Sequence, residues 1–207
     1  MREWQGRRYW LVGASEGLGR ALAEKMSRAG AELVLSARDG SRLEALAEGL
    51  PGRATPMAMD VACPEAVRAA AAAAGALDGV VYLAGLYWPM TAAGWDPARA
   101  AAMCDVNLTG AVRVLGEVVP AMAAAGRGHV VLTGSLAGFR GLPGSIGYGA
   151  SKAGVMALAE SLHADLRGSG VEVQLVNPGF IRTRLTARND FSMPFIMSPD
   201  EAAQRMF

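Results

Sequence analysis

Six short runs of β-type apolar residues, alternating with stretches of helical periodicity, narrow the folds open to this chain more than any other feature. They read "RYWLVG" (8–13), "AELVLSA" (31–37), "TPMAMD" (55–60), "GVVYLAG" (79–85), "GHVVLTG" (128–134) and "VEVQLVN" (171–177). Most are nearly continuous in apolar residues, so their strands are buried on both faces, which requires a parallel sheet with helices on either side. The intervening segments supply those helices. In "LGRALAEKMSRAG" (18–30), Leu18, Ala21, Leu22 and Met26 share one face, and "SRLEALAEGL" (41–50) and the Ala-rich stretch from Pro64 are read as helices too. Asp96 and Pro97 mark an N-cap and a first helical residue, opening a long helix that runs to about Ala124. A further helix contains residues 148–168, and "SPDEAAQRM" (198–206) starts a last one, with Ser198 as cap, Pro199 first and Glu201 closing a capping box. The expected architecture is α/β: a doubly wound parallel β-sheet flanked by helices on both faces, in one undivided domain over residues 1–207.

Composition restricts the ligand. The 207 residues are 52% hydrophobic and 19% charged, with a net charge of +1 and arginines scattered from Arg2 to Arg205. No basic stripe marks a nucleic acid or an anionic membrane as partner, which leaves a small molecule. Cys63 and Cys104 have no metal-ligand spacing, so no metal site is expected and a reducing, cytoplasmic setting is. The basic N-terminus lacks the apolar stretch of a signal peptide, and "AVRAAAAAAGAL" (66–77) is shorter than the roughly 20 residues a membrane span needs.

The turn between the first strand and the first helix reads "GASEGLG", with Gly13, Gly17 and Gly19. A dinucleotide pyrophosphate needs close backbone approach and free N–H groups at a helix N-terminus, and glycines at this place in a βαβ unit provide both. The end of the second strand then bears on which dinucleotide. NAD sites place an acidic side chain there for the ribose hydroxyls, whereas NADP sites leave room and supply a cation. Here the stretch is "LSARDG": Ala37 is small, and Arg38 is suited to fork onto a 2′-phosphate, although Asp39 beside it is a competing ribose ligand. NADP(H) is the expected cofactor, with NAD(H) the alternative.

The motif "YGASK" contains one of only two lysines, Lys152; the other is Lys25. Four residues apart on a helix, Tyr148 and Lys152 are neighbours at roughly 5–6 Å between Cβ atoms. An ammonium beside a phenol favours the phenolate and would lower its pKa from about 10 toward useful acid/base chemistry. A chain that otherwise writes arginine for its cations has reason to keep a lysine there, because a compact ammonium reaches both a ribose hydroxyl and the tyrosine.

Taken with these motifs, the sequence resembles the short-chain dehydrogenase/reductase family along nearly its whole length. "GASEGLG" is similar to the family's cofactor loop, Asp60 and Val61 to its adenine-contacting pair, and Asn107 in "DVNLTG" to its helix asparagine. Ser135 in "TGSLAG" is similar to its catalytic serine, and Pro178, Gly179 and Thr183 in "NPGFIRT" to its nicotinamide loop. The resemblance implies a Rossmann-like fold. It further implies that Ser135 hydrogen-bonds the substrate oxygen, Tyr148 gives or takes its proton, Lys152 holds the ribose and biases Tyr148, and Asn107 supports a water linking Lys152 to solvent. Cofactor contacts are expected from the loop, with Ser15 and Leu18, and from Ala84, Gly85, Ile181, Tyr148 and Lys152. It also implies a homodimer or homotetramer built on the long helix and the Tyr148 helix.

There are departures. Val12 stands where the family has threonine, and "YLAG" (82–85) where it has N-N-A-G, so two polar positions are expected to be replaced by packing. The family continues into a seventh strand, whereas this sequence stops at Phe207, so a sheet ending on its sixth strand is expected. Tyr87, Trp88, Phe139, Phe180, Phe191, Met193 and Phe195 concentrate in the loops expected near nicotinamide and point to an apolar substrate, with core packing or a subunit interface as the other reading. Residues 183–198 are expected to form a mobile substrate loop. His129 and His163 receive no role. An NADP-binding regulator without turnover remains the alternative to an oxidoreductase, and a purely structural dinucleotide fold is a third reading.

Overall fold

All six apolar runs become strands of one parallel sheet in the computed structural model, which describes residues 3–207; Met1 and Arg2, the first residues of the expected domain, lie outside the described residues. The strands are β1 (Arg8–Val12), β2 (Glu32–Ala37), β3 (Ala54–Ala58), β4 (Gly79–Tyr82), β5 (Gly128–Thr133) and β6 (Val171–Val176), in the order β3-β2-β1-β4-β5-β6. Between and after them lie α1 (Gly17–Arg28), α2 (Gly40–Gly49), α3 (Pro64–Ala74), α4 (Pro97–Cys104), α5 (Gly110–Ala124), α6 (Ile146–Asp165) and α7 (Pro199–Met206).

The pleat explains why the strands read as unbroken apolar runs. Successive side chains point to opposite faces, and here both faces are covered. Trp10, Val12, Val80, Tyr82, Val130 and Leu132 pack with Val67 of α3, Val114 and Val118 of α5 and Val155 of α6. Their neighbours Tyr9, Leu11, Leu33, Leu35, Val81 and Val131 pack on the other side with Leu22 and Met26 of α1, Leu43 and Leu46 of α2 and Ala203 of α7. Each fully buried aliphatic side chain contributes about 1.5–3 kcal/mol, so the two clusters together dominate the stability. The chain runs outward from β1 to β3 and then returns to β4 on the other side of β1. Loops at the carboxyl ends of β1 and β4 therefore diverge and leave a crevice between them.

The long helix expected from Asp96 to about Ala124 is present but not uniform. Asp96 caps it, accepting from the Arg99 N–H at 3.0 Å, yet α4 and α5 are joined by a π-helical turn, Asp105–Thr109. A wider turn breaks the regular pairing of carbonyls with N–H groups. The hydroxyl of Tyr82 donates to the Val106 carbonyl in this turn at 2.6 Å. Gly110 makes the approach possible, because a Cβ there would lie 2.4 Å from the Tyr82 oxygen. Tyr82 is thus not the simple apolar replacement expected from "YLAG": its ring packs in the core opposite Val12, and its hydroxyl holds the π turn. Burial pushes the Tyr82 phenol far above its ordinary range, so it stays a donor.

At the other end of the chain, the capping box of Ser198 and Glu201 is formed as expected, and among the described residues β6 pairs only with β5. No helix among the described residues is long and apolar enough to cross a membrane, and no cluster of His, Cys, Asp and Glu among them has the makings of a metal site.

Candidate active site

The crevice at the carboxyl ends of the strands is a cavity of about 560 Å³, within the range of small-molecule sites. Gly13, Ser15, Gly17, Leu18 and Gly19 form one wall, with Arg38 at the end of β2 and Asp60 and Val61 after β3. Ala84 and Gly85 follow from β4, and Pro178, Gly179, Ile181 and Thr183 close the far side. Ser135, Tyr148 and Lys152 also line it, so residues scattered over the sequence converge on one space.

Two glycines are required by geometry. Gly13 has φ +100°, and a Cβ on it would lie 2.5 Å from the Ala84 nitrogen; a Cβ on Gly19 would lie 2.0 Å from the Gly13 carbonyl oxygen. The loop therefore presses on both the neighbouring strand end and its own helix. Side chains of Asp39, Asp96 and Ser198 cap α2, α4 and α7, whereas Glu16 makes no such bond at α1. A helix N-terminus without a side-chain cap, opened by Gly17 and facing a cavity, fits a pyrophosphate. Gly19→Ala is expected to cost about 1–3 kcal/mol by overpacking the loop. Urea denaturation and nucleotide calorimetry would check this, and an unchanged result in both would mean that the close approach is dispensable.

The rim of the cavity is charged in a way the sequence did not disclose. Glu16 pairs with Arg42 at 3.1 Å and with Arg184 at 2.7 Å, so one carboxylate joins the glycine loop to α2 and to the segment after β6. Only the proximity of these elements in three dimensions reveals it. Asp39 is likewise occupied: it accepts from Ser41 Oγ at 2.8 Å and from the Arg42 N–H at 3.2 Å, bonds that hold its carboxyl below the ordinary carboxylate range. Arg42 also pairs with it at 3.1 Å. Asp60 accepts from the Ala62 N–H at 2.9 Å, which shapes the turn after β3, while Val61 is buried against Gly110.

At the inner end, Tyr148 and Lys152 lie one turn apart on α6, as their spacing requires. Lys152 is buried and donates to the Thr133 carbonyl at 2.7 Å, with its Nζ 5.7 Å from the centre of the Tyr148 ring. Burial lowers its pKa from 10.5 to about 8. The expected lowering of the Tyr148 pKa is not what this site produces. Burial pushes the phenol above its ordinary value, and a hydrogen bond from Ser135 only partly opposes that. The ring packs beside Met90, Ala100 and Met103, and removal from water outweighs the bond from Ser135.

Ser135 shapes a turn and lines the cavity. Its Oγ accepts from the Ala137 N–H at 3.2 Å, capping a short 3₁₀ turn, and it stands beside Tyr148 at the cavity. Asn107 lies behind the cavity with protein partners on every side. It accepts from the Leu86 N–H at 2.7 Å and donates to the Leu86 carbonyl at 3.0 Å and to Ser151 Oγ at 2.9 Å. Ser151 in turn donates to the Tyr148 carbonyl at 2.8 Å. Both Asn107 amide hydrogens are engaged, so this side chain acts by clamping the loop after β4 to α6. Ser151 escaped the sequence reading although it lies inside "YGASK"; its burial was the missing information.

The aromatic pocket expected from sequence is only partly assembled. Tyr87 packs edge-on against Tyr148 with ring centres 5.0 Å apart, and Phe180 meets Phe191 at 5.9 Å. Trp88 joins a small core with Met90, Ala100 and Met103 instead. Phe139 and Phe195 are exposed, the latter at 96%, and Leu86, Ile181 and Leu185 are among the apolar residues that line the cavity. Loop aromatics without a fixed backbone partner have no reason to converge. His129, given no role, is buried between Tyr9 at 3.1 Å and Gln174 at 3.1 Å.

Known proteins are similar to this chain in sequence and in fold. The family model for short chain dehydrogenase matches residues 9–192. An uncharacterised oxidoreductase of Myxococcus xanthus is 41% identical over 213 residues, covering 100% of this chain and 84% of that one. The sulfoacetaldehyde reductase of Chromohalobacter salexigens is 38% identical over 185 residues, covering 86% of this chain and 73% of its own. A solved structure described as a short chain dehydrogenase/reductase family protein superimposes with a TM-score of 0.91 at 29% identity, covering 99% of this chain and 89% of that one. With a model match across most of its length and relatives that span it almost end to end, the chain belongs to the short-chain dehydrogenase/reductase family of oxidoreductases.

Proposed function

We propose that the protein is an NADP(H)-dependent carbonyl reductase or alcohol dehydrogenase acting on an apolar ketone, aldehyde or secondary alcohol, with Tyr148 as acid/base. The observation that carries this reading is the convergence of Ser135, Tyr148 and Lys152 on the same cavity as the glycine loop. Enzymes of this family act on small molecules with a nicotinamide cofactor, which supplies or accepts the hydride. The chain's own residues do the rest. The uncapped α1 N-terminus and the glycines receive the pyrophosphate. Lys152 holds ribose hydroxyls. Ser135 and Tyr148 donate hydrogen bonds to the substrate oxygen, where negative charge develops as a carbonyl is reduced, and Tyr148 then gives its proton to that oxygen. A phenol held protonated by burial suits that direction. Asn107 and Ser151 fix the helix that carries it.

Arg38 is assigned to the 2′-phosphate. Asp39 caps α2 and pairs with Arg42, and this engagement supports NADP(H) over NAD(H). Residues 183–198 form the substrate loop of the same domain, and the aldehyde named in the C. salexigens reductase accords with carbonyl reduction. A homodimer or homotetramer through α5 and α6 is also proposed, consistent with Val112 standing exposed on α5. Calorimetry with NADPH and NADH at fixed ionic strength tests the cofactor. Wild type is expected to favour NADPH, and Arg38→Ala to lose about tenfold in NADPH affinity while NADH is unaffected. Equal affinities in wild type would remove the NADP assignment.

A further inference from the structure

Tyr87 occupies a place in the site that neither the cofactor wall nor the polar centre accounts for. Its backbone is anchored one residue away, where Asn107 both accepts from and donates to Leu86. Its ring meets Tyr148 edge to face, with an interplanar angle of 72°. Two of its polar groups go to consecutive residues of the segment after β6: the hydroxyl donates to Asn189 Oδ1 at 3.0 Å, and its carbonyl accepts from Arg188 at 2.7 Å. The same Arg188 lies over the neighbouring Trp88 ring at 5.1 Å, and Asn189 is steadied by Met193 at 3.3 Å. Tyr87 therefore stands between a fixed point, the Leu86–Asn107 clamp, and a segment that carries the exposed Phe191 and Phe195.

We propose that Tyr87 is a positioning residue that couples the seating of residues 183–198 to the orientation of the Tyr148 phenol. When Arg188 and Asn189 hold Tyr87, its ring walls one side of Tyr148 and directs the hydroxyl toward Ser135 and the cavity. When the segment lifts, the Tyr87 hydroxyl loses its acceptor, the ring is released, and water reaches Tyr148. The substrate loop thereby reports its own closure to the proton donor. This rests on the reading of Tyr148 as the acid/base, but the coupling itself is open to tests that need no turnover.

Four proteins decide it: wild type, Tyr87→Phe, which keeps the ring and loses the bond to Asn189, Asn189→Ala, and Asn189→Asp, which keeps the acceptor. Limited trypsin digestion reads the seating of the segment through cleavage after Arg182, Arg184 and Arg188. Ultraviolet titration, each protein against its own Tyr148→Phe derivative, reads the Tyr148 phenol. Tyr87→Phe and Asn189→Ala are expected to speed cleavage about fivefold. Both are also expected to bring the Tyr148 titration down toward that of a solvated phenol, while Asn189→Asp stays close to wild type. With NADPH and hexanal as the probe pair, the same two variants are expected to lose kcat by about fivefold, with a smaller change in KM. Unchanged cleavage, or faster cleavage with the Tyr148 titration unmoved, overturns the coupling. Absence of hexanal turnover in wild type would count against the assigned substrate class alone, since the digestion and titration would still decide the coupling.

Discussion

Tyr148→Phe is expected to lower turnover by about 10²- to 10⁴-fold, the range for removing a positioned general acid, while NADPH affinity changes little. The substitution deletes one oxygen and leaves the ring against Tyr87, so packing on α6 is kept. Lys152 retains its bond to the Thr133 carbonyl, and the glycine loop is untouched, so the cofactor's contacts survive. The loss should fall on kcat and kcat/KM together, because the proton is needed when charge reaches the substrate oxygen rather than on binding. Steady-state kinetics with a carbonyl substrate, paired with NADPH calorimetry, checks it. Equal losses in affinity and turnover would contradict the assigned role and leave Tyr148 a residue of cofactor binding alone. Full loss of turnover with intact binding would exclude a regulator that merely binds the nucleotide, since such a protein has no use for the proton.

Lys152→Met is expected to abolish turnover and yet make the ligand-free protein more stable at pH 7. Lys152 is buried, and its pKa falls from 10.5 to about 8. Between those values the unfolded chain holds a proton that the folded chain has released, so stability rises with pH across that window. Below pH 8 the folded protein bears the full penalty of a buried ammonium, about 3 kcal/mol. Methionine fills similar space without charge, but it leaves the Thr133 carbonyl without its donor, which costs about 1–3 kcal/mol. A net gain of about 1 kcal/mol at pH 7 follows, and the comparison reverses to favour wild type near pH 10, where most of its penalty has gone. Urea denaturation of both proteins at the two pH values is the measurement. A stability difference that does not move with pH would mean that Lys152 carries no burial penalty, and the explanation of its low pKa would fail.

Both predictions concern residues that were legible before any coordinates. The sheet was legible because burial on both faces leaves unbroken apolar strands, and each of the six runs became a strand within a few residues of its expected bounds. Helix starts at Asp96–Pro97 and at Ser198 were legible because capping is local chemistry, decided over four residues. The glycine loop and "YGASK" were legible for the same reason: close approach and one-turn adjacency are written in spacing alone. The residues nominated for the cofactor did meet at one cavity, since a strand order that reverses beside β1 brings the loops after β1 and β4 together whatever their sequence separation.

What lay beyond sequence depended on neighbours from distant segments. The direction of the Tyr148 pKa turned on how much water the fold removes, a quantity no i,i+4 relation contains. Tyr82 looked apolar because its hydroxyl finds its acceptor only in a π turn 24 residues later. Ser151 and Asn107 needed the packing of α6 on that same turn before their bond could be seen. Glu16 could not be matched with Arg42 and Arg184 until α2 and the segment after β6 came to rest on either side of the glycine loop. The loop aromatics that sequence gathered into a pocket separated, because hydrophobicity names a preference for burial but not a place. Local periodicity and motif spacing thus determined the elements, their order and most of the residues that meet at the cavity. Tertiary structure alone decided their solvation and their hydrogen-bond partners, because both are properties of contacts between segments that the chain brings together only on folding.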